Sequence, residues 1–328
     1  MDKMQESGIT KTVFMLICAT VLTLPLRAQP VAVEVPIEAP GPQGPLRGTM
    51  LRTPGNQKQV ALIIPGSGPT DRDGNNPLGM QAASYRLLAE GLFGQAITTV
   101  RIDKRGMFGS ASALSDANAV TINDYVTDTA AWVSIIRAKT GAPCVWLIGH
   151  SEGGLVALAA AQKVKDLCGV VLVAAAGRPL GDVIKAQLRS NIANAPLIGA
   201  ADAAIDRLAS GQKVDVSDLP PPLLPLFHSA VQDYLINVFA LDPARLAAGV
   251  ELPILIVQGG KDLQVLVEDA ERLKAANPSA TLKVLPNVNH VLKDVASNSP
   301  VDNLATYTNA DLPLGDGIAS TIASFIND

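Results

Sequence analysis

Histidine, cysteine and aromatic residues are all scarce in this chain. Its 328 residues include three His, three Cys and two Trp, and Phe, Trp and Tyr together make up 4%. Three Cys cannot build a disulfide scaffold or a four-cysteine zinc site. Three His and so few rings leave little material for a metal cluster or a base-stacking platform. A basic excess is missing too. The 26 Lys and Arg stand against 30 Asp and Glu, and a net charge of −4 without basic clusters argues against a nucleic-acid partner. With 48% apolar and only 17% charged residues, the chain is too apolar for disorder. Its length fits about two domains, or one large α/β domain with an insertion.

Long apolar runs are also absent, with one short exception. Val13–Leu24 reads VFMLICATVLTL, between Lys11 and Arg27. That is too short for a bilayer span, which takes about 20 residues. It fits the apolar segment of a secretory signal peptide over residues 1–28, cut after the small Ala28. An uncleaved anchor is the alternative. No later stretch reads as a membrane span. Export to the periplasm or medium is therefore expected, and Cys144 and Cys168 are the cysteines that would remain. Each sits just before an apolar run whose strands should be neighbours. A disulfide and two buried thiols are both open on the sequence alone.

What the chain does have is alternation. VAVEVPIEA and LRGTMLRT, joined by GPQGP, read as a hairpin. Short apolar runs follow at Val60–Ile64, Ile97–Ile102, Val145–Ile148, Val170–Ala175, Ile254–Val257 and Leu282–Leu285. Helical spacing lies between them, over Ala82–Gln95, Ile122–Lys139, Gly153–Val164 and Leu266–Ala276, and again at Ile318–Ile326. Continuously apolar strands alternating with amphipathic helices predict an α/β fold with a mostly parallel sheet covered on both faces. The alternation breaks once, over residues 178–249. Helical patches there (Leu180–Ile192, Ala201–Leu208, Leu226–Ala240) and a Pro-rich turn predict a helical cap insertion. The core should then comprise residues 29–177 and 250–328.

Within this frame Gly149-His150-Ser151-Glu152-Gly153 matches G-x-S-x-G. The pattern alone is weak, since chance gives it to about one chain of this length in ten. Its setting is specific: an apolar strand precedes it and an Ala-rich helix follows. That is the context of a nucleophile elbow, with Ser151 thrust out at the carboxyl edge of the sheet. A nucleophilic Ser needs a base, and the base needs an orienting acid. His150 is one step from Ser151 and reads as a packing or hydrogen-bonding residue beneath the turn. His228 lies in the insertion and reads as solvated or cap-lining. His290 follows the last apolar run, where a parallel sheet would deliver a base. Asp262 follows the previous run and precedes His290 by 28 residues, room for one helix and one strand. Asp242-Pro243 reads instead as a helix cap, and Asp294 as a surface charge. Two backbone N–H groups are needed to hold an oxyanion. Glu152 should supply one. Ser67, in Pro65-Gly66-Ser67-Gly68-Pro69, is the candidate for the other.

These residues resemble the α/β-hydrolase superfamily, and within it bacterial serine esterases of the serine-aminopeptidase-like branch. The likeness is carried by PGSGPTDRDGN (Pro65–Asn75), DKRGMFGS (Asp103–Ser110), GHSEGG (Gly149–Gly154), QGGKDLQV (Gln258–Val265) and NVNHVLK (Asn287–Lys293). It spans the scaffold from about residue 59 onward. It implies the α/β-hydrolase fold and hydrolysis of a small-molecule carboxylic ester through Ser151, Asp262 and His290, with no metal or cofactor. The same triad serves aminopeptidases, thioesterases and acyltransferases, and a noncatalytic exported binding domain is a remote alternative. The cap, with its apolar helices, suggests small to medium acyl groups. The charged clusters Asp71-Arg72-Asp73 and Asp103-Lys104-Arg105 have two readings, ion pairs that brace the oxyanion loop or a subsite for a substrate carboxylate. Oligomeric state is not readable.

Overall fold

The computed structural model describes Met1, residues 32–55 and residues 58–328. The expected signal segment, past Met1, lies outside the described residues. Ala32–Asp328 forms one compact unit.

A hairpin of β1 (Val33–Ala39) and β2 (Leu46–Arg52) opens the unit. There follow β3 (Val60–Ile64), α1 (Ser84–Phe93), β4 (Thr98–Ile102), α2 (Ile122–Thr140), β5 (Val145–His150), α3 (Glu152–Ala161) and β6 (Leu167–Val173). Five helices come next: α4 (Leu180–Ser190), α5 (Ile198–Ala209), α6 (Leu224–Phe227), α7 (Gln232–Phe239) and α8 (Pro243–Ala248). The chain closes with β7 (Ile254–Gly259), α9 (Val267–Ala276), β8 (Thr281–Leu285), α10 (Pro300–Ala305) and α11 (Ile318–Asn327). The eight strands form one sheet in the order β1-β2-β4-β3-β5-β6-β7-β8. Pairing is antiparallel from β1 to β4 through β2, and parallel elsewhere.

Strand periodicity explains the two-sided core. Leu62 and Ile64 join one apolar cluster, while Ala61 and Ile63 join the other. In a strand, successive side chains point to opposite faces. Every residue of β3 and β5 is therefore buried, and both can be continuously apolar. On one face lie Trp132 of α2 and Leu155 of α3, and on the other Leu88 of α1 and Ile322 of α11. Local signals set the helix ends. Thr121 accepts the N–H of Asp124, whose carboxylate accepts back from Thr121, a capping box that starts α2. Gly141, at φ 73°, ends it.

The cap departs from its expected layout at one point. The apolar patch Leu226–Ala240 is two helices, α6 and α7, not one. His228 has ψ 142°, which breaks the helix, and its imidazole accepts the N–H of Ala230 at 3.2 Å to begin a new turn. Asp242 does cap α8, accepting the N–H of Ala244 at 2.9 Å with Pro243 at the first turn.

Cys144 and Cys168 are joined, with Cα atoms 5.1 Å apart. The bond fastens the start of β5 to the start of β6 and closes a loop spanning 24 positions around α3. Loop-closure entropy assigns such a bond about 3 kcal/mol. Replacing both cysteines by Ser should lower unfolding free energy by that amount in urea titrations. A loss under about 0.5 kcal/mol would show that the bond does not restrain the unfolded chain.

Candidate active site

Because β3, β5, β6, β7 and β8 run parallel, the loops that leave their carboxyl ends share one edge of the sheet. That edge is where open α/β sheets bind ligands. The loops carry Pro65–Gly68, Ser151, Asp262 and His290.

Ser151 links β5 to α3 with φ 53° and ψ −122°. Non-glycine residues rarely adopt this backbone, and holding one there costs of order 1–3 kcal/mol. Close packing enforces the turn. A Cβ on Gly153 would lie 2.2 Å from the carbonyl oxygen of Ile64, so only glycine lets α3 start against β3. The first N–H groups of α3 have no partner within the helix. Ser151 stands at that helix N-terminus, where such groups favour negative charge.

His290 is buried, and its Nδ1 lies 2.8 Å from Asp262 Oδ2. Asp262 is held in turn. Its Oδ1 accepts the N–H groups of Gln264 at 2.8 Å and Val265 at 2.9 Å. The carboxylate thus has one oxygen committed to backbone, while the other bonds the imidazole and accepts a longer bond, 3.4 Å, from Gln258 Nε2. The His290 loop is tied down by Asn289, which donates to Asn303 Oδ1 and to Thr306 Oγ1 at 3.1 and 2.7 Å. These partners lie around α10, a helix that the sequence reading left unassigned. Its Ser299-Pro300 cap signal was present to be read.

His150 has a different place from His290. It sits beneath the turn, buried, with Nδ1 2.9 Å from the Tyr85 hydroxyl and Nε2 2.8 Å from the His290 carbonyl. The His290 carbonyl can only accept, so His150 Nε2 carries the proton of the neutral ring and donates it there. Nδ1 of that tautomer accepts the Tyr85 hydroxyl hydrogen, while Tyr85 Oη accepts the Gly66 N–H at 2.9 Å. Burial, aided by His290 nearby, pushes the His150 pKa down to about 3, so the ring stays neutral. Tyr85 is a site residue that sequence reasoning missed. Nothing in the α1 pattern sets it apart from a core aromatic. His228 is exposed and serves as a cap, and the exposed Asp294 accepts the Asp316 N–H at 2.8 Å.

The Gly66–Ser67 peptide is held from two sides. Gly66 N–H is taken by Tyr85, and Gly66 C=O accepts Lys104 Nζ at 2.7 Å. In a trans peptide the next N–H points opposite to that carbonyl. Lys104 therefore sets the direction of the Ser67 N–H. The sequence put Lys104 in an ion-pair cluster. It is buried and bonds a carbonyl, while its neighbours make the ion pairs. Arg72 donates to Asp103 through its backbone N–H and Nε at 2.9 and 3.0 Å. Arg105 bonds both oxygens of Asp128 at 2.7 Å. Buried Arg101 bonds Asp73 and Glu34. All three guanidinium groups are matched to protein carboxylates, as the bracing reading requires.

Two cavities meet at Ser67 and Ser151. One, of about 380 Å³, lies beneath the cap and is lined by Leu155, Leu180, Val183, Tyr234, Val238 and Glu152 among others. The other, of about 460 Å³, holds His290 with Asn76, Tyr85, Tyr307 and Thr308. Both are of small-molecule size. Among the described residues, no group of three or more His, Cys, Asp or Glu could hold a metal ion. No helix of the described residues is long and apolar enough to cross a membrane.

Comparison with known proteins gives the family and the fold. Esterase EstD of Thermotoga maritima is 27% identical over 240 residues, 71% of this chain and 54% of EstD. The chain thus matches about half the length of that relative. The fold matches the Pyrococcus furiosus esterase PF2001 at a TM-score of 0.56 and 17% identity, over 90% of this chain and 91% of the other. It matches Est1E of Butyrivibrio proteoclasticus at 0.54 and 14%, over 89% and 99%. Residues 61–305 match the model of the alpha/beta hydrolase family. The chain belongs to the alpha/beta hydrolase family.

Proposed function

We propose that the protein is a serine hydrolase of carboxylic esters, acting through Ser151, His290 and Asp262. The observation that carries this is one juxtaposition. A strained Ser151 stands at the sheet edge where Asp262, itself held by two backbone N–H groups, bonds His290. The likeness to EstD supports the ester substrate class.

In this reading His290 Nε2 takes the Ser151 proton as Oγ attacks the acyl carbon. Asp262 holds the proton on Nδ1 and stabilises the imidazolium. The N–H groups of Ser67 and Glu152 receive the oxyanion. His290 then returns its proton to the leaving alkoxide, and an acyl-enzyme remains. Water, deprotonated by His290, releases the acid. The leaving group must lie beside the base, so it occupies the cavity that holds His290. The acyl group occupies the cavity beneath the cap.

A fluorophosphonate should add one label, at Ser151, and p-nitrophenyl esters of short to medium acids should turn over faster than aminoacyl anilides. A label elsewhere, or faster anilide turnover, would overturn the esterase reading. We also propose export. The apolar Val13–Leu24 segment and the Cys144–Cys168 bond support it, since such bonds persist in oxidising compartments. Mature protein from the periplasm or medium should then begin at Gln29. A full-length chain retained in the cytosol would refute this.

A further inference from the structure

Three hydrogen bonds run without a break from the oxyanion loop to the base loop. The Gly66 N–H donates to Tyr85 Oη at 2.9 Å, Tyr85 donates to His150 Nδ1 at 2.9 Å, and His150 Nε2 donates to the His290 carbonyl at 2.8 Å. The direction is forced from both ends, since a backbone N–H can only donate and a carbonyl can only accept. Tyr85 and His150 are buried, and the proposed mechanism uses neither side chain. A ring that only filled space beneath the turn would need no polar partner on either nitrogen. Here both are committed, and to the two loops that handle opposite charges in the reaction.

The first turn of α1 anchors this chain. The Ser84 hydroxyl donates to the Val291 carbonyl at 2.7 Å, one residue past the base. The Tyr85 N–H bonds the Asp73 carbonyl at 3.1 Å, in the segment that continues the oxyanion loop. Gly74, at φ 92°, lets that segment lie against the turn, because a Cβ there would stand 2.9 Å from the Ser84 and Tyr85 nitrogens. His150 also packs on the base itself, with ring centroids 4.9 Å apart. His290 becomes a cation during the reaction, and a second cation so close would oppose it. Burial keeps His150 neutral and removes that conflict. We propose that His150, ordered by Tyr85, is a positioning residue that holds the base and the oxyanion loop in one fixed relation, so that His290 and the Ser67 N–H serve the same carbonyl. This rests on the esterase reading of the site and goes beyond it by giving roles to two side chains which that reading leaves idle.

The test measures kcat and KM for p-nitrophenyl butyrate per Ser151 titrated with a fluorophosphonate, so that misfolded chains do not count. His150→Leu should lower kcat about ten- to a hundredfold with KM changed less than about threefold, because the loss falls on the transition state. His150→Gln returns an amide donor near the Nε2 position and should recover at least about fivefold of that loss. Packing alone predicts the reverse order, since Leu suits a buried site better than Gln. If the Leu variant does not fold, His150→Asn takes its place, with an acceptor for Tyr85 but no reach to the His290 carbonyl. Combining Tyr85→Phe with the His150 change should cost no more than about threefold beyond the worse single variant, as befits members of one chain. In two-bond proton–nitrogen spectra of histidine-labelled wild type, the ring signals that vanish in His150→Gln should show a protonated Nε2 and a bare Nδ1 over about pH 5–8. Leu or Asn matching Gln, losses that simply multiply, or a proton on Nδ1 would each overturn the positioning role while ester cleavage by the wild type stands. If the wild type cleaves no ester and Ser151 resists the fluorophosphonate, the esterase reading itself fails.

Discussion

Asp262→Asn should lower kcat for ester hydrolysis by about four orders of magnitude with little change in fold. The size follows from how the carboxylate is held. Its Oδ1 accepts two backbone N–H groups, from Gln264 and Val265. An Asn amide must therefore turn its oxygen to that side, since an NH2 there would meet two donors. Its NH2 then faces His290 Nδ1, which lies 2.8 Å from Asp262 Oδ2 in the native site. The imidazole can bond that NH2 only as an acceptor, which moves its proton to Nε2. A ring protonated on Nε2 cannot take a proton from Ser151. Steady-state kinetics on p-nitrophenyl butyrate, with circular dichroism as the check on folding, measure the effect. A loss below about tenfold would mean that Asp262 does not set the tautomer, and the acid would have to be sought elsewhere.

The same loops show what the sequence could and could not reveal. β3, β5 and β7 were legible because strands buried on both faces read as unbroken apolar runs. Parallel strands separated by helices then send Ser151, Asp262 and His290 to one edge, whatever the details of the loops. Scarcity helped, because three histidines could be sorted by their place along the chain. The supporting contacts were not legible. Tyr85 meets His150 across 65 positions, and its hydroxyl is the only thing that separates it from a core ring. Lys104 was grouped with Asp103 and Arg105 by charge, yet its partner is a backbone carbonyl, which leaves no mark in sequence. The cap helix broke at His228 because a side-chain cap competed with an apolar pattern that runs straight through. Each of these three comes from a hydrogen bond between polar atoms distant in the chain or hidden within a periodic segment.

Those unread contacts have a functional consequence that Lys104 makes measurable. Lys104→Met should lower kcat by about ten- to a hundredfold while KM changes less than about threefold. The Met stem can fill much of the space, so the main loss is the hydrogen bond to the Gly66 carbonyl. That bond is the one that orients the Gly66–Ser67 peptide from its carbonyl side. Without it, the peptide can rotate and carry the Ser67 N–H away from the oxyanion position. A donor that matters only when charge builds on the substrate oxygen affects the transition state, not ground-state binding. Tyr85 still holds the Gly66 N–H, so the loop should stay in place and the loss should fall short of removing a donor outright. A trifluoromethyl ketone, which forms a charged tetrahedral adduct on Ser151, separates this from general damage. Its inhibition constant should rise in step with the fall in kcat/KM, while labelling of Ser151 still goes to completion. If kcat falls but the ketone binds as before, Lys104 braces the loop without aiming the donor, and the second oxyanion contact lies on another N–H of that turn.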